Sequence, residues 1–485
     1  MNLSFSFPRH AMAPLLAALV LAGCATAPAK LPVQPEPPAS FKETRERWTI
    51  AAPAETQDRG AWWKVFADPV LDGLVERAGI NNTSIHQAAA RLAQARALAR
   101  DAEADRSPQI GIGAGASRQA GAGSPGGPAP ATLTSAGASL SYELDLFGRL
   151  ARARDAASLD AQSREALLQS TRLLVQAEVA QTYLAVRAMD SERQLVRETV
   201  AAYQDTLRLT QRRHQAGDIA ELDVVRVESE LAATESQALA LDRQRAQLEH
   251  ALAVLIGDAA SSFTLGVEEW RTALPQIPAG VPATVLARRP DVSAAQSSIL
   301  AAQALLGVAR AAWFPNVSLT AAGGFASPEL GDLFKWSARA WGVGALLSLP
   351  LFDGGRREAG VQGAQAQLDE ALAGYRGQVL VAFKEVEDQL SSLRLLHEQA
   401  QAQARAVTSA SRATVLSESR YRHGLDSQLE LLDARRSELG NRRQALQVRS
   451  GQYQATVALI RALGGGWETP TAARELAAAS PTLAH

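Results

Sequence analysis

The sequence aligns with itself, without a gap, at an offset of 207 residues. Pro108 falls on Pro315, Gly148-Arg149 on Gly355-Arg356, Glu178-Val179 on Glu385-Val386, Gly217 on Gly424, Leu222 on Leu429 and Gly257 on Gly464. Proline and glycine set where elements stop, so coincidence at those positions predicts two copies of one structural unit. In the first copy a helix from Asn82 to Asp105 stops before Pro108. Strand-like runs follow at Gln109 to Gln119 and Thr132 to Leu146, then a very long helix from Arg149 to Gln215, a break at Gly217, and a helix from Glu221 to Ile256. The second copy predicts a helix ending at Ala312, strands Asn316 to Ala326 and Ala340 to Leu351, a helix from Arg356 to Arg422, a break at Gly424, and a helix to Leu463.

The lengths fit together. Each long helix spans roughly 100 Å, and the two shorter ones laid end to end reach roughly 90 Å, so a short-plus-short stack can accompany each long helix. Leu432, Leu439, Leu446, Tyr453 and Ile460 recur every seven residues, while Leu167, Leu174, Ala177, Leu184, Ala188 and Leu195 step by seven, three and four. Val196, Val200, Tyr203, Leu207 and Thr210 continue one residue out of register. Such narrow seams predict coiled-coil pairing, and they suit an intracellular coiled coil or a solid bundle equally well.

The strand-like runs decide more. They are long enough for transmembrane strands, which need about 9 to 11 residues, and their Gly, Ala and Ser interspersed with Leu, Ile, Val and Phe suit a wall between lipid and water. There are four per chain. A sheet in lipid has to close, because open edges leave unpaired backbone groups, and bacterial barrels begin at about eight strands. The chain must therefore share its barrel. Two chains make eight strands around a filled interior and three make twelve around an open lumen; a long helical wall continuing from the strands favours the hollow option.

Other features narrow the class. With 49 basic against 50 acidic residues there is no cationic excess to neutralise phosphates, which argues against nucleic acid as a partner. The single cysteine excludes a disulfide framework. It stands in Leu21-Ala22-Gly23-Cys24, behind an apolar stretch from Ala11 to Ala22 too short to span a bilayer, a pattern that resembles the bacterial lipoprotein cleavage box. The expected modification is a covalent lipid on Cys24, and Ala25 resembles the outer-membrane sorting pattern. Six prolines between residues 25 and 60 predict an extended tether, and no later segment is an uninterrupted apolar run long enough for a helical span. The organisation read from these boundaries is a signal over 1–23, a lipidated tether over 24–60, repeats over 61–257 and 288–466 joined by a connector over 258–287, and a tail over 467–485.

Chemistry-bearing motifs are weak. Gly111-x-Gly113-x-Gly115 lies inside a strand with no helix after it, so it is not a dinucleotide loop. The seven histidines show no metal-ligand spacing, and no nucleophile motif appears, so no cofactor, no metal and no enzymatic activity is expected. Trp313, Phe314, Phe325, Phe334, Trp336 and Trp341 fall near strand ends, where aromatic rings suit a membrane interface or simple packing under a sheet edge. Near the second break, Glu430 and Asp433 lie three apart on one helical face, with Leu429 four before Asp433. In a threefold tube these carboxylates would ring a constriction and favour cations; alternatively they are a solvated acidic helix start. Asp223 and Arg226 take the matching places in the first copy.

The ordered stretches Trp62-Trp63-x-x-Phe66-x-Asp68-Pro69-x-Leu71, Ile277-Pro-Ala-Gly-Val-Pro282, Arg288-Arg-Pro-Asp-Val292, Ala311-Ala-Trp-Phe-Pro315, Leu351-Phe-Asp-Gly-Gly355 and Tyr421-x-x-Gly424 with Leu431-Leu-Asp-Ala434 carry a resemblance. Over residues 24 to 466 the chain resembles the TolC-like outer-membrane efflux proteins, most closely the NodT-type lipoprotein branch. The resemblance implies a mainly α fold with a membrane β-barrel: a homotrimer with a twelve-stranded barrel, a periplasmic helical tunnel and a mixed α/β belt built from about 61 to 80, 257 to 290 and the segment after Gly464. It implies a passive conduit exporting small molecules, with a periplasmic adaptor and an inner-membrane transporter of the RND type as partners. By motif position Leu429, Glu430 and Asp433 resemble the periplasmic gate, and Tyr421 the tyrosine that ties the inner helix pair to its neighbour. The cation that follows the glycine in the family is replaced here by Leu425 and Asp426. Gly217 with Asp218, and Gly424 with Leu425, resemble the adaptor-docking tips. Competing readings are a lipid-anchored coiled-coil scaffold or adaptor, a metal-ion channel, or a protein-secretion channel.

Overall fold

The computed structural model describes residues 42–45, 60–120, 130–275, 277 and 282–465. The expected signal, Cys24, most of the tether, and the tail lie outside the described residues. In chain order the elements are α1 (Pro69–Asn81), α2 (Thr83–Ala104), β1 (Gln109–Gln119), β2 (Ala131–Leu144), α3 (Arg149–Gln215), α4 (Glu221–Leu255), α5 (Pro282–Arg288), α6 (Pro290–Ala311), β3 (Asn316–Ser327), β4 (Arg339–Ser348), α7 (Arg356–Arg422) and α8 (Gln428–Ala462).

The repeat holds element by element: α2 with α6, α3 with α7, and α4 with α8 begin and end at the expected offset. The glycines explain this. Gly217, Gly257, Gly424 and Gly464 all have positive φ, at 82°, 79°, 72° and 89°. Each is followed by a residue whose N–H reaches back to the helix, as from Asp218 to the Arg213 carbonyl at 2.9 Å and from Leu425 to the Arg420 carbonyl at 2.9 Å. A left-handed residue closing a helix in this way ends it at a fixed point. At Gly464 a Cβ would lie 2.7 Å from the Arg288 carbonyl oxygen, so the close approach itself excludes a side chain.

The chain divides into two compact units. One takes Arg91–Glu165 and Ala294–Arg376 and holds the sheet; the other takes Glu36–Ala90, Ala166–Ser293 and Gly377–His485 and holds the connector and the helix breaks.

In the first unit the four strands form one antiparallel sheet in the order β1-β2-β3-β4. The register sorts side chains by face. One face carries Ile110, Ile112, Leu140, Tyr142, Leu144, Val317, Leu319, Phe325, Trp341, Val343 and Leu347. The other carries Gly111, Gly113, Gly115, Ser117, Ser135, Ser139, Ser141, Ser318, Thr320, Gly324, Gly342 and Gly344. Period-two alternation of this kind is what a wall with lipid on one side and water on the other requires. Strands β2 and β3 approach closely at Gly137, where a Cβ would meet the Gly323 carbonyl oxygen at 2.7 Å. Two strand ends differ from expectation. β2 stops at Leu144 because the Asp145 carboxylate turns to cap α3, accepting from the N–H groups of Leu150 (3.0 Å) and Ala151 (2.7 Å). β4 stops at Ser348, two residues before Pro350, which has no N–H to give to a ladder.

Helix α6 is long and apolar enough to cross a bilayer by length and composition, with a mean hydropathy of 1.4, although its apolar run is interrupted. One side of it packs in protein, where Ile299 and Leu306 are buried and Ser298 meets the Ser163 hydroxyl at 3.1 Å.

In the second unit a network of buried polar groups holds the connector. Asp68 caps α1 through Oδ1 and accepts the Tyr183 phenol and the Thr272 hydroxyl through Oδ2, both at 2.8 Å. Burial drives the Tyr183 phenol well above its ordinary pKa. Arg187, at 2% side-chain exposure, donates to the Gly266 carbonyl (2.7 Å) and to Glu268 (3.1 Å). Asp190, at 1%, accepts from Arg193 (3.1 Å) and Arg245 (3.0 Å). Arg289 of the Arg-Pro-Asp motif is buried between Asp291, Glu385 at 2.7 Å and the Ala462 carbonyl at 3.2 Å. Its repeat mate Asn82 holds the matching carbonyl, that of Leu255, at 2.8 Å.

In the belt segments that are described no strand forms, only a single backbone bond from Ala273 to the Phe66 carbonyl at 3.2 Å, and the segment after Gly465 lies outside the described residues. Two other expectations are corrected. Within the tether, Lys42–Arg45 forms a 3-10 turn, because the Glu387 carboxylate accepts its leading N–H groups at 2.6 and 3.0 Å and Arg394 pairs with Glu43 at 3.0 Å. In α3 the seam does not extend to Leu167 and Leu174, which are exposed; Leu168 and Leu173 are buried in their place.

Candidate functional site

The two helix breaks form the candidate site, and both lie in the second unit. At the first, α3 ends in Arg212-Arg213-His214 and closes through Gly217, with Gly217 and Asp218 exposed. At the second, α7 ends in Arg420-Tyr421-Arg422 and closes through Gly424, with Gly424 and Leu425 exposed. Ser427 caps α8, its hydroxyl accepting from the Glu430 N–H at 3.3 Å. Arg420 reaches across the loop to Asp426 at 2.9 Å and holds that carboxyl below the usual carboxylate range.

The first turns of α8 divide into two faces. Gln428, Leu431 and Leu432 are buried, and Leu432 packs with Tyr203 and Val227. Leu429 (44% exposed), Glu430 and Asp433 (58% of its side chain exposed) stand on the open face. The structure thus brings the three predicted gate residues together on one exposed stripe. Asp433 is not a free charge: Arg436 lies 3.3 Å away and also pairs with Glu230 of α4.

Tyr421 is half-buried and lies against the other repeat. Its hydroxyl accepts from Arg213 Nη1 at 3.1 Å, and the same guanidinium sits 5.6 Å from the ring centroid. The cation that meets Tyr421 thus comes from α3. Further links between the repeats are Arg435 to the Thr206 hydroxyl at 2.6 Å and Arg443 to Glu192 at 2.7 Å. The sequence reading did not single out Arg213, Glu230, Arg435 or Arg436. Arg213 carried a usable signal, since it is the repeat mate of Arg420. The Glu230–Arg436 pair carried none, because it joins positions unrelated by the offset.

The sequence model of the outer membrane efflux protein family matches residues 74–258 and 281–465, that is, both repeats. The chain belongs to the outer membrane efflux protein family. Outer membrane protein OprJ of Pseudomonas aeruginosa is 33% identical over 473 residues, covering 95% of this chain and 97% of the relative. The structure of the outer-membrane channel OprN matches with a TM-score of 0.83 at 32% identity, covering 90% of this chain and 99% of that one. The outer membrane protein VceC of Vibrio cholerae matches with a TM-score of 0.78 at 29% identity, covering 84% and 99%. This efflux protein is thus an outer-membrane channel of a tripartite efflux pump, located in the outer membrane and reaching into the periplasm.

Proposed function

We propose that this efflux channel works as a homotrimer, gated at its helix breaks and joined there to a periplasmic adaptor that links it to an RND-type inner-membrane transporter. The observation that carries this reading is the sheet. Among the described residues its outer strands β1 and β4 each pair along one edge only, and one face is mostly apolar. Such a sheet is stable in lipid only when copies close it, and three copies supply twelve strands around an open lumen. Lipid on Cys24 would add an anchor to the same membrane.

The gate follows from the helix breaks. Leu429, Glu430 and Asp433 share an exposed stripe, and three copies would turn it into rings of leucine and carboxylate. Arg213–Tyr421 and Arg436–Glu230 tie the α7–α8 pair to the α3–α4 pair. An adaptor binding Gly217–Asp218 and Gly424–Leu425 would favour the state in which those ties are broken, a population shift toward the open channel. Because Arg436 bridges Asp433 and Glu230, removing Asp433 loosens the tie from the gate side. Asp433→Ala is expected to raise single-channel conductance in planar bilayers, and unchanged conductance would remove Asp433 from the gate. Mass measurement in detergent is expected to return a trimer; a monomer that conducts would end the shared-barrel reading.

A further inference from the structure

We propose that Arg118 and Arg339 form a binding surface for the phosphate headgroups of an anionic lipid in the outer leaflet. Both residues lie on the apolar face of the sheet. Along β1 that face reads Ile110, Ile112, Ala114, Ala116, Arg118, and along β4, from the other end, Leu347, Ala345, Val343, Trp341, Arg339. Each row runs four positions of apolar character and then places an arginine at the end remote from the helices. Eight residues at about 3.3 Å each, tilted by about 40°, rise about 20 Å along the membrane normal. The apolar band of a membrane barrel is about 25 Å tall, so each row carries its guanidinium toward the outer rim, with Arg339 opposite Phe325, Ala136 and Ala114, four residues along the strand from the level of Arg118.

A cation on the lipid face is costly at the bilayer centre and nearly neutral at the interface, where phosphates can pair with it. At the other end of the sheet two arginines meet carboxylates of this chain: Arg149 pairs with Glu143 at 2.7 Å and Arg357 with Asp353 at 2.6 Å. At the remote end, no ion pair is made by Arg118 or Arg339 among the described residues. Lys335 is already paired with Asp332 at 2.5 Å, and Glu329 stands in the loop beyond the apolar rows. Among the described residues Arg118, Arg339 and Glu329 are the charges of that rim without an ion pair.

The surroundings suit an amphiphile rather than a free anion. Arg339 stacks over the Trp336 ring, 4.2 Å from its centroid, which fixes the guanidinium plane and leaves its edge to donate to a phosphate. Phe334 packs edge-on to Phe325 at 5.7 Å. Trp336 and Trp341 are more than three-quarters exposed, as rings at acyl and headgroup level would be. The inference rests on the barrel reading and adds a ligand class to its outer rim.

The test is native mass spectrometry of the full chain in detergent, titrated with diphosphorylated lipid A and with its dephosphorylated form. The phosphorylated lipid is expected to bind wild type and to bind R118Q/R339Q about tenfold more weakly, with R118K/R339K in between because lysine keeps the charge and loses the fork. The dephosphorylated lipid is expected to bind wild type as weakly as the phosphorylated one binds the glutamine variant. Equal binding of both lipids to wild type, which needs no variant to fold, would overturn the proposal. So would displacement of the bound lipid by inorganic phosphate, or equal binding by wild type and the glutamine variant. The protein mass in the same spectra reports the shared barrel separately.

Discussion

The connector around Asp190 and the four-stranded sheet meet the same demand, that no polar group be left without a partner, in opposite ways. Around the connector the chain supplies partners for its own buried charges, although Asp190 Oδ2 and Trp270 Nε1 are buried without a hydrogen bond. Asp190, Arg187, Arg245 and Arg289 are deeply buried, and every one of them meets charges or carbonyls of the same chain. In the sheet it does not. Among the described residues β1 and β4 each pair along one edge only, and most of the large side chains of the apolar face are exposed. The difference marks where one polypeptide is complete and where it depends on lipid and on copies of itself.

The largest test removes the self-sufficiency of the connector. Asp190→Ala would leave Arg193 and Arg245 short of a buried partner and is expected to cost about 3–5 kcal/mol of stability. A thermal or denaturant midpoint for the helical unit that stays unmoved would show the network to be dispensable. Next comes the two-faced sheet. Val343→Lys, on the apolar face, is expected to cost about 2–4 kcal/mol in lipid, whereas Ser139→Lys on the small-residue face is expected to cost little and to change ion selectivity instead. Equal costs in refolding titrations into vesicles would mean that the faces are assigned the wrong way round.

The smallest effect contrasts the carboxylate of Asp190, set in a network of arginines, with that of Asp426, held by one arginine in a loop. Arg420 holds the Asp426 carboxyl below its ordinary range. A lowered folded-state pKa contributes stability above the unfolded value, near 4, which is lost as pH falls through the folded value. Asp426→Asn is therefore expected to lower the thermal midpoint slightly at pH 7 and not at all at pH 2. A difference that persists at pH 2 would show that the pair is not what Asp426 contributes.

Much of this was readable in advance. Positive-φ glycines at 217, 257, 424 and 464 fix helix ends through local backbone geometry, so the repeat and the lengths of α3 and α7 follow from residue type and position alone. That Leu429, Glu430 and Asp433 share one stripe was equally readable, because residues three and four apart on a helix share a face. Less readable were the partners. Arg213 reaches Tyr421 across 208 positions, Arg436 reaches Glu230 across 206, and Arg289 reaches Glu385 across 96. Nothing in periodicity records such pairings, since they depend on how helices pack and in what register.

The sequence by itself determined the two copies, their element order, the four short strands and the shortage that forces copies to share a barrel. Local chemistry sets these: turn residues, periods of two and of seven, and the length of chain a bilayer demands. Only the tertiary structure decided which carboxylate meets which arginine, which strands neighbour one another, and that arginines finish both edge rows at the same end of the sheet. Those facts depend on distances between segments far apart in the chain, which exist only once the helices and strands have packed.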